Sequence, residues 1–201
     1  PNPSDGNAIH HRVQAQERLK RVSECLFADQ VRRALDIGAG HAIIGELLDS
    51  YFPAEYSFIE PDDQLAGQVL ARSSSSDFRR VPSITDAENY DLVFANQVME
   101  HVEDPRKFFS DLVTATARDG LIYLEVPNRD DTFKADVFPH TIFFSPRALT
   151  GLIKADPRVE IVAIESFGGI AIANPRTLWE RVRISALNRA VGVARRLGFD
   201  G

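Results

Sequence analysis

The segment Arg33-Ala-Leu-Asp-Ile-Gly-Ala-Gly-His-Ala42 constrains this chain more than any other. Ala34, Leu35 and Ile37 form a short apolar run of the kind a buried strand shows, and Gly38 and Gly40 interrupt it. Ile43, Ile44, Leu47 and Leu48 then recur at helical spacing. Strand, glycine turn, helix opens a nucleotide-binding β-α-β unit, because glycines let a ligand approach the backbone. Asp36 falls at the carboxyl end of the strand, where open α/β sheets bind ligands. A dinucleotide fingerprint would need a third glycine at Ile43, and a phosphate-cradling loop would need Gly-Lys-Ser/Thr. Neither is present. An acid followed by Gly-x-Gly, with no phosphate handle, suits a cofactor that carries an ammonium group and no phosphate. The bare alternative is a tight turn that needs glycine only for its backbone.

At 201 residues the chain is long for one small domain and short for two, so one domain with appended helices is expected. The division expected is an N-terminal helical segment over 1–30, a cofactor-binding domain over 31–174 and a basic amphipathic helix over 175–201. The net charge of −6 argues against a nucleic-acid backbone as the main partner. Cys25 is the only cysteine, so neither an intrachain disulfide nor a cysteine-based zinc site can form. No apolar stretch is long enough to span a bilayer, and the polar start with Pro1 and Pro3 shows no secretory signal. These features together point to a cytoplasmic location.

The pattern along the chain predicts an α/β fold: a doubly wound, Rossmann-like, mostly parallel sheet of about seven strands with helices on both faces, the last strand left open. A first helix runs over 7–27, with Ile9, Val13, Leu19, Val22 and Leu26 as its buried stripe. His10 and His11 point about 100 degrees apart on it and read as surface residues, not a metal pair. Glu55 to Ile59 is the second strand, closed by Glu60 and Pro61. Glu60 lies roughly 20 residues beyond the glycines, where a ribose-binding carboxylate belongs. A helix over 63–72 turns Leu65, Val69 and Leu70 inward, and Phe78 to Val81 and Tyr90 to Asn96 are the next strands. Pro105 starts a helix, Asp119-Gly120 is a turn before a strand over 121–126, and Ser145-Pro146 starts another helix. Val159 to Phe167 is strand-like, and Ile170 to Ala173 only briefly so. From Pro175 to about Leu197 the pattern is helical, with Trp179, Val182, Ala186, Ala190 and Ala194 near one face and six arginines making it basic. Such a helix can lie on an anionic membrane surface. Packing on the domain or on a second subunit, as a homodimer, is the plainer expectation.

Two stretches carry a family resemblance. Asp36-Ile-Gly-Ala-Gly40 resembles motif I of the class I S-adenosylmethionine (SAM) dependent methyltransferases, with Ala42 as the third small residue. Asp91-Leu-Val-Phe-Ala-Asn-Gln-Val-Met-Glu-His-Val-Glu-Asp-Pro105 resembles the strand, turn and helix start that many of them share. Pro127-Asn128 and His140-Thr-Ile-Phe-Phe-Ser-Pro146 are similar to later family segments, and beyond Gly168 the resemblance fades. It implies SAM as cofactor, bound by Asp36, Gly38, Ala39, Gly40 and Glu60. Pro61 and Asp62 would border the adenine, Ser83 or Ile84 falls where the family often places an Asp that bonds the adenine amino group, and the Asn96 carbonyl would receive the amino group of SAM. The first helix would lie over the cofactor.

Methyl transfer from a sulfonium is an in-line displacement, in which the cofactor carries the hard chemistry and the protein supplies position. An acceptor that must lose a proton needs a base, and His101 and His140 are the candidate catalytic residues. The function expected is methyl transfer to the oxygen, nitrogen or carbon of a small-molecule acceptor. Phe133, Phe138, Phe143 and Phe144 are candidates for its pocket. Two alternatives use the same residues. Small-RNA 2′-O-methyltransferases place a metal on Glu-x-x-Glu-His and a later His. Here Glu100, His101 and His140 match, but Gln97 stands for the first Glu and weakens a hard-cation site, so no metal is expected. The other alternative is a methyltransferase-like binding protein without turnover.

Overall fold

β1 (Arg33–Ile37) is the strand about which the sheet reverses its order. The computed structural model describes residues 3–73, 78–128, 142–168 and 188–197. The other strands are β2 (Glu55–Ile59), β3 (Phe78–Arg80), β4 (Tyr90–Asn96), β5 (Thr116–Pro127), β6 (Val159–Gly168) and β7 (Asn188–Arg196). They form one seven-stranded sheet in the order β3-β2-β1-β4-β5-β7-β6. β1 to β5 pair parallel, and β7 runs antiparallel to both β5 and β6. The chain turns outward one way from β1 to β2 and the other way from β4 to β5. A crevice therefore opens beyond the carboxyl ends of β1 and β4.

Alternation along the strands divides the core between two faces. Ala34, Leu92, Phe94, Leu121 and Tyr123 pack with Leu19 and Val22 of α1 (Pro3–Ser23), Leu47 and Leu48 of α2 (Ile43–Leu48), and Ala66 and Val69 of α3 (Asp63–Arg72). Leu35, Ile37, Val93, Ala95, Ile122 and Leu124 face the other way. They meet Phe109, Leu112 and Val113 of α4 (Pro105–Ala115) and Leu149 and Ile153 of α5 (Pro146–Lys154). Helix starts follow the cap chemistry of the sequence. Asp62, Asp104 and Ser145 each accept backbone N–H bonds in the first turn of α3, α4 and α5, and Pro105 and Pro146 open the latter two.

Several boundaries and faces differ from expectation. The stripe of α1 is Ala15, Leu19 and Val22, all buried, with Leu26 buried just beyond its end, while Ile9 is largely exposed and Val13 half-buried. The N-terminal segment is thus part of the main core. α3 buries Ala66 and leaves Leu70 exposed. Asp119 and Gly120 lie within β5, where the register with β4 slips and Asp119 takes a positive φ of 61°: a bulge and not a chain reversal.

The main correction is at the C-terminus. Asn188–Arg196 is not the second half of a helix; it is the missing last strand, β7. Alanine and arginine favour a helix in isolation. Here hydrogen bonding on both sides, to β5 and to β6, overrides that preference. Small residues are needed for packing: a Cβ on Gly192 would come within 2.8 Å of the Ile153 side chain. Two of the β7 arginines are engaged with the rest of the fold. Arg195 reaches the Cys25 carbonyl at 3.4 Å, and Arg196 bonds the carbonyls of Thr114 and Thr116. The membrane-facing basic surface thereby loses its basis over this part. Residues 169–187, including the expected strand at Ile170 to Ala173, lie outside the described residues, as does His140. Among the described residues no helix is long and apolar enough to cross a membrane.

Gly45 of α2 tests the packing directly. A Cβ there would lie 2.5 Å from the Tyr56 ring and 2.7 Å from that of Phe78. Intrinsic propensity favours Ala over Gly by about 1 kcal/mol, whereas overpacking costs about 1–3 kcal/mol. Gly45→Ala is expected to lower stability by ~1 kcal/mol or more in urea denaturation; an unchanged or raised midpoint would show that the ring packing is not as described.

Candidate functional site

The turn after β1 leans over the tip of β2. The N–H groups of Gly38 and Ala39 both donate to the Ile59 carbonyl, at 2.9 and 3.2 Å, and Gly40 N–H donates to Glu60 Oε2 at 2.9 Å. This path needs left-handed backbone at Gly38, Gly40 and Ala42, whose φ angles are 67°, 55° and 53°. Gly38 is doubly required, because a Cβ would also lie 2.5 Å from Val98 Cγ2. A Cβ on Gly40 would meet nothing within 4 Å, so conformation alone demands glycine there. Ala42 adopts the left-handed shape without being glycine and caps α2. Arg72 holds the far side of the loop through the His41 carbonyl at 2.6 Å.

Between this loop, α1 and the tip of β4 lies a cleft of about 390 Å³, within the range of small-molecule sites. Asp36, Gly38, Ala39, Gly40 and His41 form one wall, His11, Gln14, Ala15 and Arg18 a second, and Asn96 and Gln97 a third. Asp36 is 3% exposed and its Oδ2 accepts from the Tyr56 hydroxyl at 2.8 Å. Burial pushes its carboxyl up to about 7, against the bond from Tyr56 and the charge of Arg18. Burial also raises the Tyr56 hydroxyl well above its ordinary range, with Asp36 adding to it, so Tyr56 is a neutral donor. Arg18 forks onto Glu125, Nε to Oε2 at 3.0 Å and Nη2 to Oε1 at 2.8 Å. Burial works against the charge on Arg18, and Glu125 more than offsets it, leaving the guanidinium pKa raised.

The expected cofactor residues are brought together in part. Asp36, Gly38, Ala39, Gly40 and Asn96 line the cleft, and Glu60 braces its glycine loop. Glu60 also accepts from Asp62 N at 2.9 Å, which leaves lone pairs on both oxygens. Asn96 Oδ1 is buried with no hydrogen-bond partner among the described residues. Pro61 is exposed at the tip of β2, and the Ser83 hydroxyl caps the turn Ile84–Asp86 by accepting from Thr85 N at 3.3 Å. Neither lines this cleft. His101 does not line it either: it ends the turn Met99–His101, 39% exposed, with Nε2 3.9 Å from Glu100 Oε1.

Sequence reasoning missed Arg18, Gln14, His11, Tyr56 and Glu125. His11 is exposed, as expected, and Gln14 is buried, and both border the cleft. With Arg18 they make a polar stripe at helical spacing beside the apolar one, and that stripe is the signal that was present in the sequence. Gln97 has a left-handed φ of 56°, and its Nε2 approaches Glu125 Oε1 at 3.4 Å. An amide can donate to Glu125, whereas a carboxylate at 97 would repel it. Among the described residues no cluster of three His, Cys, Asp or Glu side chains is placed to hold a metal ion.

A family model described as a methyltransferase domain matches residues 9–189. No curated protein matches the chain in sequence. Among solved structures, the chain is similar to one from a complex between the Haloferax volcanii Trm112 methyltransferase activator and a putative methyltransferase. The TM-score is 0.76 at 11% identity, over 97% of this chain and 96% of that one. A putative sarcosine dimethylglycine methyltransferase from Galdieria sulphuraria gives 0.69 at 12% identity, over 92% and 86%. Phosphoethanolamine N-methyltransferase 2 of Haemonchus contortus, solved with phosphomonomethylethanolamine and S-adenosylhomocysteine, gives 0.62 at 13% identity, over 84% and 49%.

The buried Asp36 carboxyl predicts a pH signature. Its pKa rises from an ordinary 3.8 to about 7 on folding. Between those values the folded chain holds a proton that the unfolded chain has lost, so folding loses stability as pH rises through that window. Asp36→Asn cannot titrate. The stability of the wild type minus that of Asp36→Asn, from denaturation at pH 4 to 7.5, is expected to fall by on the order of 2–4 kcal/mol. A flat difference would mean that Asp36 is already ionised in the empty fold.

Proposed function

The chain belongs to the class I SAM-dependent methyltransferases, and on that premise we propose that it transfers the methyl group of SAM to a small-molecule acceptor. The observation that carries the cofactor assignment is the alternation of charge in the cleft. Asp36 and the Asn96 main chain are the acceptors for an ammonium, and Arg18 beside Asp36 is a donor for a carboxylate. The methionine part of SAM carries both groups. Glu60, with lone pairs left after bonding Gly40 and Asp62, takes the ribose hydroxyls. The adenine then lies toward Pro61 and Ser83. SAM supplies an activated methyl when bound; the protein's part is to orient and to exclude water.

A small acceptor is supported by a net charge of −6 that disfavours a polyanion, and by neighbours named for sarcosine, dimethylglycine and phosphoethanolamine chemistry. His101, in the turn Met99–His101 that follows the tip of β4, is the base proposed for an acceptor that must lose a proton. His140 is the second candidate. The metal-assisted RNA reading loses support, because Gln97 is engaged with Glu125 as a donor.

Calorimetry with SAM and S-adenosylhomocysteine checks the cofactor assignment. Both are expected to bind with a stoichiometry near one, and Glu60→Ala is expected to weaken both by about tenfold or more, the loss of charge-assisted bonds worth ~1.5–3 kcal/mol. No binding of either ligand would remove the assignment. Wild-type affinity in Glu60→Ala would remove the ribose role alone.

A further inference from the structure

The stretch Leu121 to Val126 of β5 carries one acid among apolar neighbours. Leu121 to Leu124 and Val126 are buried, and Glu125 is buried with them at 1% exposure. A carboxylate so placed costs several kcal/mol unless it is paired, and an apolar pair would fill the same core as well or better. Stability therefore gives no reason for the ion pair. What an apolar pair cannot do is aim a guanidinium.

Glu125 does not line the cleft, but two residues that do are held by it. Arg18 comes from α1 and puts Nε and Nη2 on the two carboxylate oxygens, at 3.0 and 2.8 Å. Gln97 comes from the tip of β4. Its Nε2 lies 3.4 Å from Oε1, and its backbone N–H donates to the Glu125 carbonyl at 2.8 Å. One residue behind the site thus fixes a side chain on the α1 wall and a left-handed backbone turn on the β4 wall. The Arg18 side chain is 14% exposed, and Nη1 is the part of its fork that Glu125 leaves unspent.

We propose that Glu125 is a positioning residue for methyl transfer, which orients Arg18 so that its remaining N–H groups bind the carboxylate of the cofactor's amino-acid part. The proposal rests on the cofactor reading above. Glu125 touches neither cofactor nor acceptor and acts through Arg18, with Gln97 steadied by the same carboxylate. A guanidinium held by one edge has little rotamer freedom left to lose when the other edge takes a ligand.

The test compares two ligands that differ in the amino-acid part. S-adenosylhomocysteine carries the carboxylate; 5′-methylthioadenosine keeps the adenosine and thioether and lacks the amino acid. Calorimetry on Glu125→Gln is expected to show S-adenosylhomocysteine weakened tenfold or more, with 5′-methylthioadenosine within twofold of wild type. The KM for SAM is expected to rise by more than kcat falls. Arg18→Lys keeps a buried cation opposite Glu125 but has no second edge. It is expected to show the same split between ligands, and it serves if Glu125→Gln does not fold. Unchanged S-adenosylhomocysteine affinity in the folded variants would overturn the proposal. So would a parallel loss of both ligands, which would mark the pair as merely structural. If wild type binds neither compound, the cofactor reading itself fails and takes this one with it.

Discussion

The backbone after β1 has to cross the tip of β2, and most of the site follows from that crossing. Three successive N–H groups, of Gly38, Ala39 and Gly40, are donated to Ile59 and Glu60. Buried peptide groups must find partners, so the loop is satisfied by the neighbouring strand and is not left waiting for a ligand. Glu60 completes the loop while keeping lone pairs free. The loop's shape in turn sets α2 on its course through Ala42, and places Gly38 so close to Val98 that no side chain fits.

Around this loop the charges are ordered with little help from water. Asp36, Arg18 and Glu125 are all buried or nearly so, each within the field of the next. A zwitterion entering between Asp36 and Arg18 continues the alternation, whereas a phosphate would meet one cation and, beside it, the Asp36 carboxyl. α1 is fixed over this row by three arginines that reach three different elements. Arg12 meets Glu46 of α2 at 3.2 Å, Arg18 meets Glu125 of β5, and Arg21 meets Glu165 of β6. The exposed Arg12 pair contributes little in water. The buried Arg18 pair is the one that couples helix position to site geometry.

Much of the fold was legible because its signals were local. The apolar run, the two glycines and the helical spacing after them gave β1 and α2. The Asp-Asp, Asp-Pro and Ser-Pro pairs gave the starts of α3, α4 and α5. β7 was not legible, because Ala190, Ala194 and the arginines around them read as helix formers until strands stand on both sides of them. The same holds within the site. Asp36, Gly38, Gly40 and Glu60 sit at fixed offsets from a strand end and could be named from spacing. Arg18 and Glu125 are 107 residues apart, and nothing local in either segment announces the partner. Burial of Glu125 reverses the usual meaning of an acid in a strand, and only the sheet order reveals it.

A crystal structure of the complex with S-adenosylhomocysteine would measure the central claim most directly. The amino-acid end is expected between Asp36, Asn96 and Arg18, with its carboxylate on the Arg18 guanidinium and its amino group on the acceptors. The ribose hydroxyls are expected on Glu60, and the glycine loop unchanged against β2. Density for the ligand outside this cleft, or with the amino acid turned away from Arg18 and Asp36, would contradict it.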